Sequence, residues 1–274
     1  MKLRTADGLW VAIDRYGEGG PPIVLAHGGG QTRHAWAATA ETLAERGWTA
    51  HTLDLRGHGE SDRAPDGRYA LDGFVEDLAT VAQAAGDRPV LVGASLGGVA
   101  ALLYAGERGG AAAALVLVDV GVRARADGVA RVVGFMRRHV DGFASLDDAA
   151  AAVAAYTPQR ERALRPDGLA KNLRRDADGR YRWRWDPQLL ANFDVASVAR
   201  NARIEAALRG VAARRLPTTV VHGTRSDVLD ADEAAETARL AHGTLAHLAD
   251  AAHMVAGDAN DAFPAALLRF LRSL

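Results

Sequence analysis

The sequence predicts an α/β fold: a mostly parallel central sheet covered by helices on both faces, with a helical lid inserted into it. Three observations carry this. Short apolar runs alternate with segments of helical period over residues 1–120 and again over 217–274, which is the pattern of a parallel sheet. Between them, residues 121–216 hold helical segments and polar loops but no convincing buried strand. At Val90–Tyr104 an apolar run passes through Gly93-Ala94-Ser95-Leu96-Gly97 directly into an alanine- and leucine-rich segment of helical spacing.

Taken in order, Trp10–Tyr16 alternates like a half-buried strand and Pro22–Ala26 reads as a buried one, with a glycine- and proline-rich turn between them. Gly28-Gly29-Gly30 forms a loop, followed by a helix from His34 to Arg46 that Gly47 closes. Trp48–Leu53 is the next strand, and Asp54–Asp62 a polar loop punctuated by glycines. Leu71–Ala85 has helical spacing and ends at Gly86. After the strand, corner and helix around Ser95, Ala113–Val118 is a strand ending at Asp119. Within the lid, helices are expected at Val129–Arg138, Leu146–Ala155, Pro187–Val195 and Val198–Ala213. The rhythm then resumes with a strand at Thr218–His222, a helix at Ala231–Ala241, a strand at Thr244–Leu248 and a helix at Asp261–Leu271.

Composition narrows the function classes. The chain has 274 residues, nearly half of them apolar (49%), enough for one large domain with an insertion. The longest apolar run, Ala111–Val118, falls far short of the ~20 residues a membrane span needs. The first residues lack the apolar stretch of a signal peptide, so a cytoplasmic location is expected. There are no cysteines, which excludes disulfides, thiolate metal sites and a thiol nucleophile. A net charge of −1 argues against nucleic acid as a partner and leaves a small-molecule substrate. The charge is uneven, however: residues 121–216 carry 19 Arg and Lys against 11 Asp and Glu. A solvated arginine-rich surface or attraction of an anionic substrate would both produce that bias.

Chemistry concentrates at Ser95. The glycines two before and two after it suit a corner too tight for side chains, with the serine in a strained conformation and its hydroxyl held clear of the sheet. The hydroxyl would lie at a helix N-terminus, where free N–H groups favour negative charge. Among those groups, the Leu96 N–H would face an oxyanion. A serine hydroxyl needs a base, and the base needs an orienting carboxylate. On a parallel sheet these come from loops at the carboxyl ends of strands. Asp227, after the strand ending at His222, and His253, after the strand ending near Leu248, meet that condition.

The order Ser95, Asp227, His253 and the motifs His27-Gly28-Gly29-Gly30 and Asp54-Leu-Arg-Gly-His-Gly-Glu-Ser-Asp62 together resemble the α/β-hydrolase superfamily. The chain is most similar to capped members such as bacterial esterases, cofactor-free perhydrolases and carbon–carbon bond hydrolases. The resemblance implies a serine hydrolase for a small to medium carboxylic ester or lactone, working without metal or cofactor. Ser95 would be the nucleophile, His253 the base and Asp227 the orienting acid, with Gly29 and Leu96 supplying oxyanion N–H groups. Asp119 is the rival for the acid, because some relatives draw it from that strand. Relatives that transfer alkyl groups carry aspartate where Ser95 stands here. Carbon–carbon cleavage, perhydrolysis, biosynthetic acyl transfer and non-catalytic ligand reception remain alternatives on the same fold.

The other histidines offer less. His27 is expected to brace the glycine loop, His58 to organise the Asp54–Asp62 loop and His222 to end a strand. No His-Glu-x-x-His spacing for zinc is present. Tyr181-Arg-Trp183-Arg-Trp185 suggests an extended lid segment with its aromatic rings on one face. Trp36, Phe135, Trp183 and Trp185 are candidates to line the substrate pocket, with Met136, Phe143 and Phe193 as lesser ones.

Overall fold

The computed structural model describes residues 1–109, 111–157, 166–191, 202–253 and 262–274. Among these, the strands are β1 (Lys2–Arg4), β2 (Trp10–Tyr16), β3 (Pro22–Ala26), β4 (Thr49–Leu53), β5 (Val90–Ala94), β6 (Ala114–Val118), β7 (Leu173–Arg175), β8 (Tyr181–Trp183), β9 (Thr218–Gly223) and β10 (Thr244–Leu248). The helices are α1 (Ala37–Glu45), α2 (Leu71–Ala85), α3 (Leu96–Gly106), α4 (Ala126–Arg138), α5 (Leu146–Tyr156), α6 (Pro166–Leu169), α7 (Ala202–Ala213), α8 (Ala231–Leu240) and α9 (Ala262–Leu271). The main sheet runs β1-β2-β4-β3-β5-β6-β9-β10. The β1–β2 and β2–β4 pairings are antiparallel, and from β4 to β10 every pairing is parallel.

Every residue of β4, β5 and β6 is buried; β5 and β6 therefore read as unbroken apolar runs, while β4 buries Thr49, His51 and Thr52 among its apolar residues. Alternation sends successive side chains to opposite faces. Val24, Ala26 and Leu91 join the core under α2 and α3, while Ile23, Leu25, Val90 and Val92 join the core under α1 and α9. The sheet is therefore covered on both faces, as expected.

Several local details depart from the sequence reading. β1 is a three-residue antiparallel edge strand, too short to show a period. The helix expected from His34 begins instead with a 3-10 turn at Arg33–Trp36, because the Arg33 backbone N–H donates to Asp54 Oδ1 at 2.6 Å. The lid contains an antiparallel hairpin, β7–β8, in register Leu173↔Trp183. The aromatic alternation at Tyr181–Trp183 points to an extended segment there, whereas β7, with two arginines in three residues, has no pattern to announce it. A 3-10 turn at Pro187–Leu190 opens the helix expected at 187–195, with Asp186 capping it through Gln188 N–H at 3.1 Å. The rest of that helix, the start of the one expected at 198–213, and Phe193 lie outside the described residues.

The expected lid boundary at 216 needs correcting at its end. Helix α7 buries Ile204, Ala207, Leu208 and Val211 in the same core as α2 and α3 of the body. It meets α3 glycine to backbone: a Cβ on Gly106 would lie 2.1 Å from Ala207 O, and one on Gly210 would lie 2.2 Å from Gly106 O. α7 is therefore a covering helix of the sheet, although the sequence rhythm places it in the insertion. Part of the basic bias of residues 121–216 is met by neighbouring acids. Arg174 and Arg182 share Asp176, while Arg123 pairs with Glu233 and Arg203 with Glu107 and Asp72 across to the body.

The glycine contact between α3 and α7 is testable. Gly210→Val must push the helices apart, against a gain in helix propensity of less than ~1 kcal/mol. We expect a net loss of ~1–3 kcal/mol, seen as a fall of several degrees in Tm. Gly168→Ala, where nothing among the described residues lies within 4 Å of the added carbon, should melt like the parent.

Candidate active site

The corner between β5 and α3 is as tight as the glycines imply. A Cβ on Gly93 would lie 2.4 Å from Gly97 O, and one on Gly97 would lie 2.5 Å from Ala26 O. Side chains there would drive the helix off the sheet. Ser95 holds φ 45° and ψ −116°, a conformation costly for any residue with a side chain. Its N–H still completes the sheet by donating to Val118 O at 3.1 Å, and the Gly97 N–H donates to His27 O at 3.1 Å. Ser95 Oγ makes no hydrogen bond to another described residue.

Asp119 sits immediately beyond β6, and the pairing Ala94↔Val118 makes it the register neighbour of Ser95. It too has positive φ, 51°, and it is almost fully buried. Its Oδ2 lies 2.6 Å from His253 Nδ1. The expectation that Asp227 orients His253 is therefore corrected: the carboxylate on the imidazole belongs to Asp119. Asp119 lies one residue past a strand flanked by β5 and β9, whereas Asp227 lies four residues past β9 and faces α4. There its Oδ2 is 2.8 Å from Arg131 Nη1, and its backbone carbonyl would be 1.9 Å from a Cβ on Gly128. Asp227 belongs to the seam between α4 and the β9 loop.

His253 is positioned by the loop after β10, which is stitched to the loop after β9. Thr224 N–H donates to Leu248 O at 3.0 Å, Arg225 N–H to Ala251 O at 2.9 Å, and Asp250 N–H to Thr224 Oγ1 at 3.0 Å. A Cβ on Gly223 would fall 2.5 Å from Ala251 O, so this approach also requires a glycine. His253 and Asp119 thus meet at the carboxyl edge of the sheet where Ser95 stands. No hydrogen bond joins His253 to Ser95 in this structure, and such contacts are commonly long before substrate binds.

The backbone N–H groups of Gly29 and Leu96, beside Ser95, are among those that lack acceptors among the described residues. Leu96 is the first residue of α3, where no intrahelical partner exists. The neighbouring Gly28 N–H is already taken by Gln31 Oε1 at 3.0 Å. Gly28 packs directly on the serine, since its Cβ would lie 3.4 Å from Ser95 Cβ.

The two loop histidines hold this edge together as neutral bases. His27 Nε2 accepts the Leu55 N–H at 3.1 Å, and His58 Nε2 accepts the Gly30 N–H at 3.0 Å. Their Nδ1 atoms face the carbonyls of Gly28 and Arg56, at 2.8 and 3.0 Å, so each must carry its proton on Nδ1. Burial lowers the His27 pKa, and burial reinforced by His27 pushes His58 down to about 3. Beneath them Asp54 accepts from Glu60 N–H and from the Arg33 backbone and guanidinium. Arg33 is held in turn by Asp14 and Glu60.

The pocket candidates separate. Trp36 is fully buried against Phe263, with ring centroids 5.3 Å apart, so it is a core residue between α1 and α9 rather than a pocket wall. Trp185 is buried with Val129, Val133, Leu190 and Val228 and bridges to His58, sealing the lid to the body. Phe135 and Trp183 belong to an aromatic cluster within the lid, together with Phe143 and Tyr156. Among the described residues, Met136 reaches the glycine loop from the lid, its Cε lying 3.1 Å from where a Cβ on Gly30 would stand. The sequence offers Met136 only as a lesser pocket candidate, since its place in α4 does not show which face meets the glycine loop. No group of three His, Asp or Glu side chains suited to a metal occurs among the described residues, and no helix there is long and apolar enough to cross a membrane.

Comparison with known proteins agrees with this architecture. A family model described as alpha/beta hydrolase fold matches residues 21–259. The esterase Rv0045c of Mycobacterium tuberculosis is 30% identical over 272 residues, covering 95% of this chain and 84% of its own. A solved structure of that esterase superposes with a TM-score of 0.76 at 25% identity, over 99% of this chain and 91% of the other. An E-2-(acetamidomethylene)succinate hydrolase superposes with a TM-score of 0.85 at 20% identity, over 99% and 98% of the two chains.

The buried histidines give a pH prediction. His58 has its folded pKa below the unfolded value of ~6.5, so the unfolded chain takes up the proton first. Its contribution to stability is complete above that value and is lost as pH falls toward 3. Urea titrations between pH 6.5 and 4 should show a steeper loss for the parent than for His58→Gln, by up to ~1.4 kcal/mol per pH unit. Parallel slopes would contradict the neutral assignment.

Proposed function

The chain belongs to the α/β-hydrolase family, and from that premise we propose that it is a serine esterase for small to medium carboxylic esters or lactones. One observation carries the reading: a strained serine, two N–H groups without acceptors and a carboxylate-bound histidine lie along a single edge of the sheet. The named esterase relative, which matches almost the full chain, supports ester as the substrate class.

The chemistry follows from these groups. Ser95 Oγ attacks the ester carbonyl carbon while His253 Nε2 takes the hydroxyl proton. The carbonyl oxygen becomes an oxyanion held by the Gly29 and Leu96 N–H groups, each such donor being worth ~3 kcal/mol in the transition state. Collapse breaks the bond to the alcohol, which leaves with the proton returned from His253. Water then enters, loses a proton to His253 and attacks the acyl-serine, and Ser95 leaves with that proton. Asp119 keeps the imidazole in the Nδ1–H form and stabilises the imidazolium at each stage without itself being protonated.

The test combines labelling with kinetics. A fluorophosphonate probe should label the protein and fail on Ser95→Ala, and nitrophenyl esters of graded acyl length should be turned over. Asp119→Asn should lower kcat by ~10⁴-fold, as loss of an orienting carboxylate does. Asp227→Asn removes only a half-exposed ion pair and should change kcat by no more than about fivefold. The reverse ranking would return the acid to Asp227, and labelling that survives in Ser95→Ala would defeat the reading.

A further inference from the structure

We propose that Ser226, in the loop after β9, is a positioning residue that fixes the Asp119 carboxylate; the inference rests on the serine-esterase reading above. Ser226 Oγ lies 2.5 Å from Asp119 Oδ2. The same oxygen accepts two backbone N–H groups, from Val228 at 3.2 Å and Leu229 at 3.1 Å. A hydroxyl has one proton and two lone pairs. With both lone pairs engaged, the proton has a single direction left, toward Asp119. The donor direction is therefore set by the loop and not by a free rotor.

This matters because, among the described residues, only the imidazole shares that oxygen with Ser226. Asp119 Oδ2 is shared by Ser226 Oγ and His253 Nδ1, while among the described residues Oδ1 receives the Gly223 N–H alone, at 3.4 Å. The aspartate is on strained backbone, with φ 51°, at the end of its strand. Removing the hydroxyl leaves the carboxylate to the imidazole and one long N–H contact, so it can turn about Cβ–Cγ and carry the ring plane of His253 with it. The loop is held in place independently: Ser226 N–H donates to Gly223 O at 2.9 Å, and the Val228 carbonyl accepts the Arg125 N–H of the lid at 2.8 Å. The β9 loop thus contributes to the acid after all, through a hydroxyl one residue before the aspartate that the motif order singles out.

Hydrolysis of 4-nitrophenyl butyrate by the full chain tests this. Ser226→Ala should lower kcat by ~10- to 100-fold, the range expected for losing a hydrogen bond to a charged group, with KM within about twofold. Ser226→Thr, which keeps the hydroxyl, should recover most of the rate. Ser226→Cys, similar in size but a weak donor, should resemble the alanine variant and gives the same reading if alanine fails to fold. In an Asp119→Asn background, Ser226→Ala should cost no further rate, because the hydroxyl acts through that carboxylate. A parent-like kcat in both Ser226→Ala and Ser226→Cys, or an undiminished further loss in the Asp119→Asn background, would overturn the inference. Full activity of Ser95→Ala would instead bring down the esterase reading, and this inference with it.

Discussion

The molecule is built around the contact between the start of α3 and the ends of β3 and β5. Gly93 and Gly97 let the helix backbone lie where a methyl group would come within 2.5 Å of a carbonyl oxygen. That closeness forces Ser95 to positive φ and leaves the Leu96 N–H facing outward. It also brings the Gly97 N–H onto His27 O, which ties the glycine loop to the serine corner. The strain is local and the surrounding sheet is fully buried, so the core can hold a residue that an isolated peptide would not.

A second layer of polar groups gives this edge its rigidity. The glycine loop has little packing of its own, so it borrows order from His27 and His58, which accept backbone N–H groups from β4's loop and from Gly30. Burial keeps both rings neutral, which suits them to accept at one nitrogen and donate at the other. Asp54 and Arg33 anchor the loop from below. These are the residues of the Asp54–Asp62 and His27–Gly30 motifs, and their work is to hold backbone in place and not to react. The lid closes over the same loops, with Trp185 against His58 and Met136 against Gly30.

Much of the fold was legible because burial writes itself into sequence. The central strands β3, β5 and β6 are unbroken apolar runs, the corner demands glycine, and positions just beyond strands are where loops converge. What escaped had no such signature. β1 is too short to show a period, and β7, the partner that pairs with the extended segment at 181–183, is three residues of which two are arginine. The start of α1 is bent by Asp54, which is 21 residues away in the chain. Trp36 resembles a pocket residue by its place after the glycine loop, yet the approach of α9 puts Phe263 over it and makes it core. α7 looks like part of the lid because sequence order hides its glycine contact with α3.

By itself the sequence determined the sheet class, the corner at Ser95, the glycine loop and the histidine near the end of the chain, since each is a local pattern that only a few backbone conformations satisfy. Tertiary structure alone decided which carboxylate meets that histidine. Asp119 and Asp227 both follow strands, and no local pattern tells them apart. The choice depends on strand order, which sets β6 between β5 and β9, and on α4, whose Arg131 draws Asp227 away. Long-range pairing of this kind is a property of the assembled sheet, so it has no trace in any single stretch of the chain.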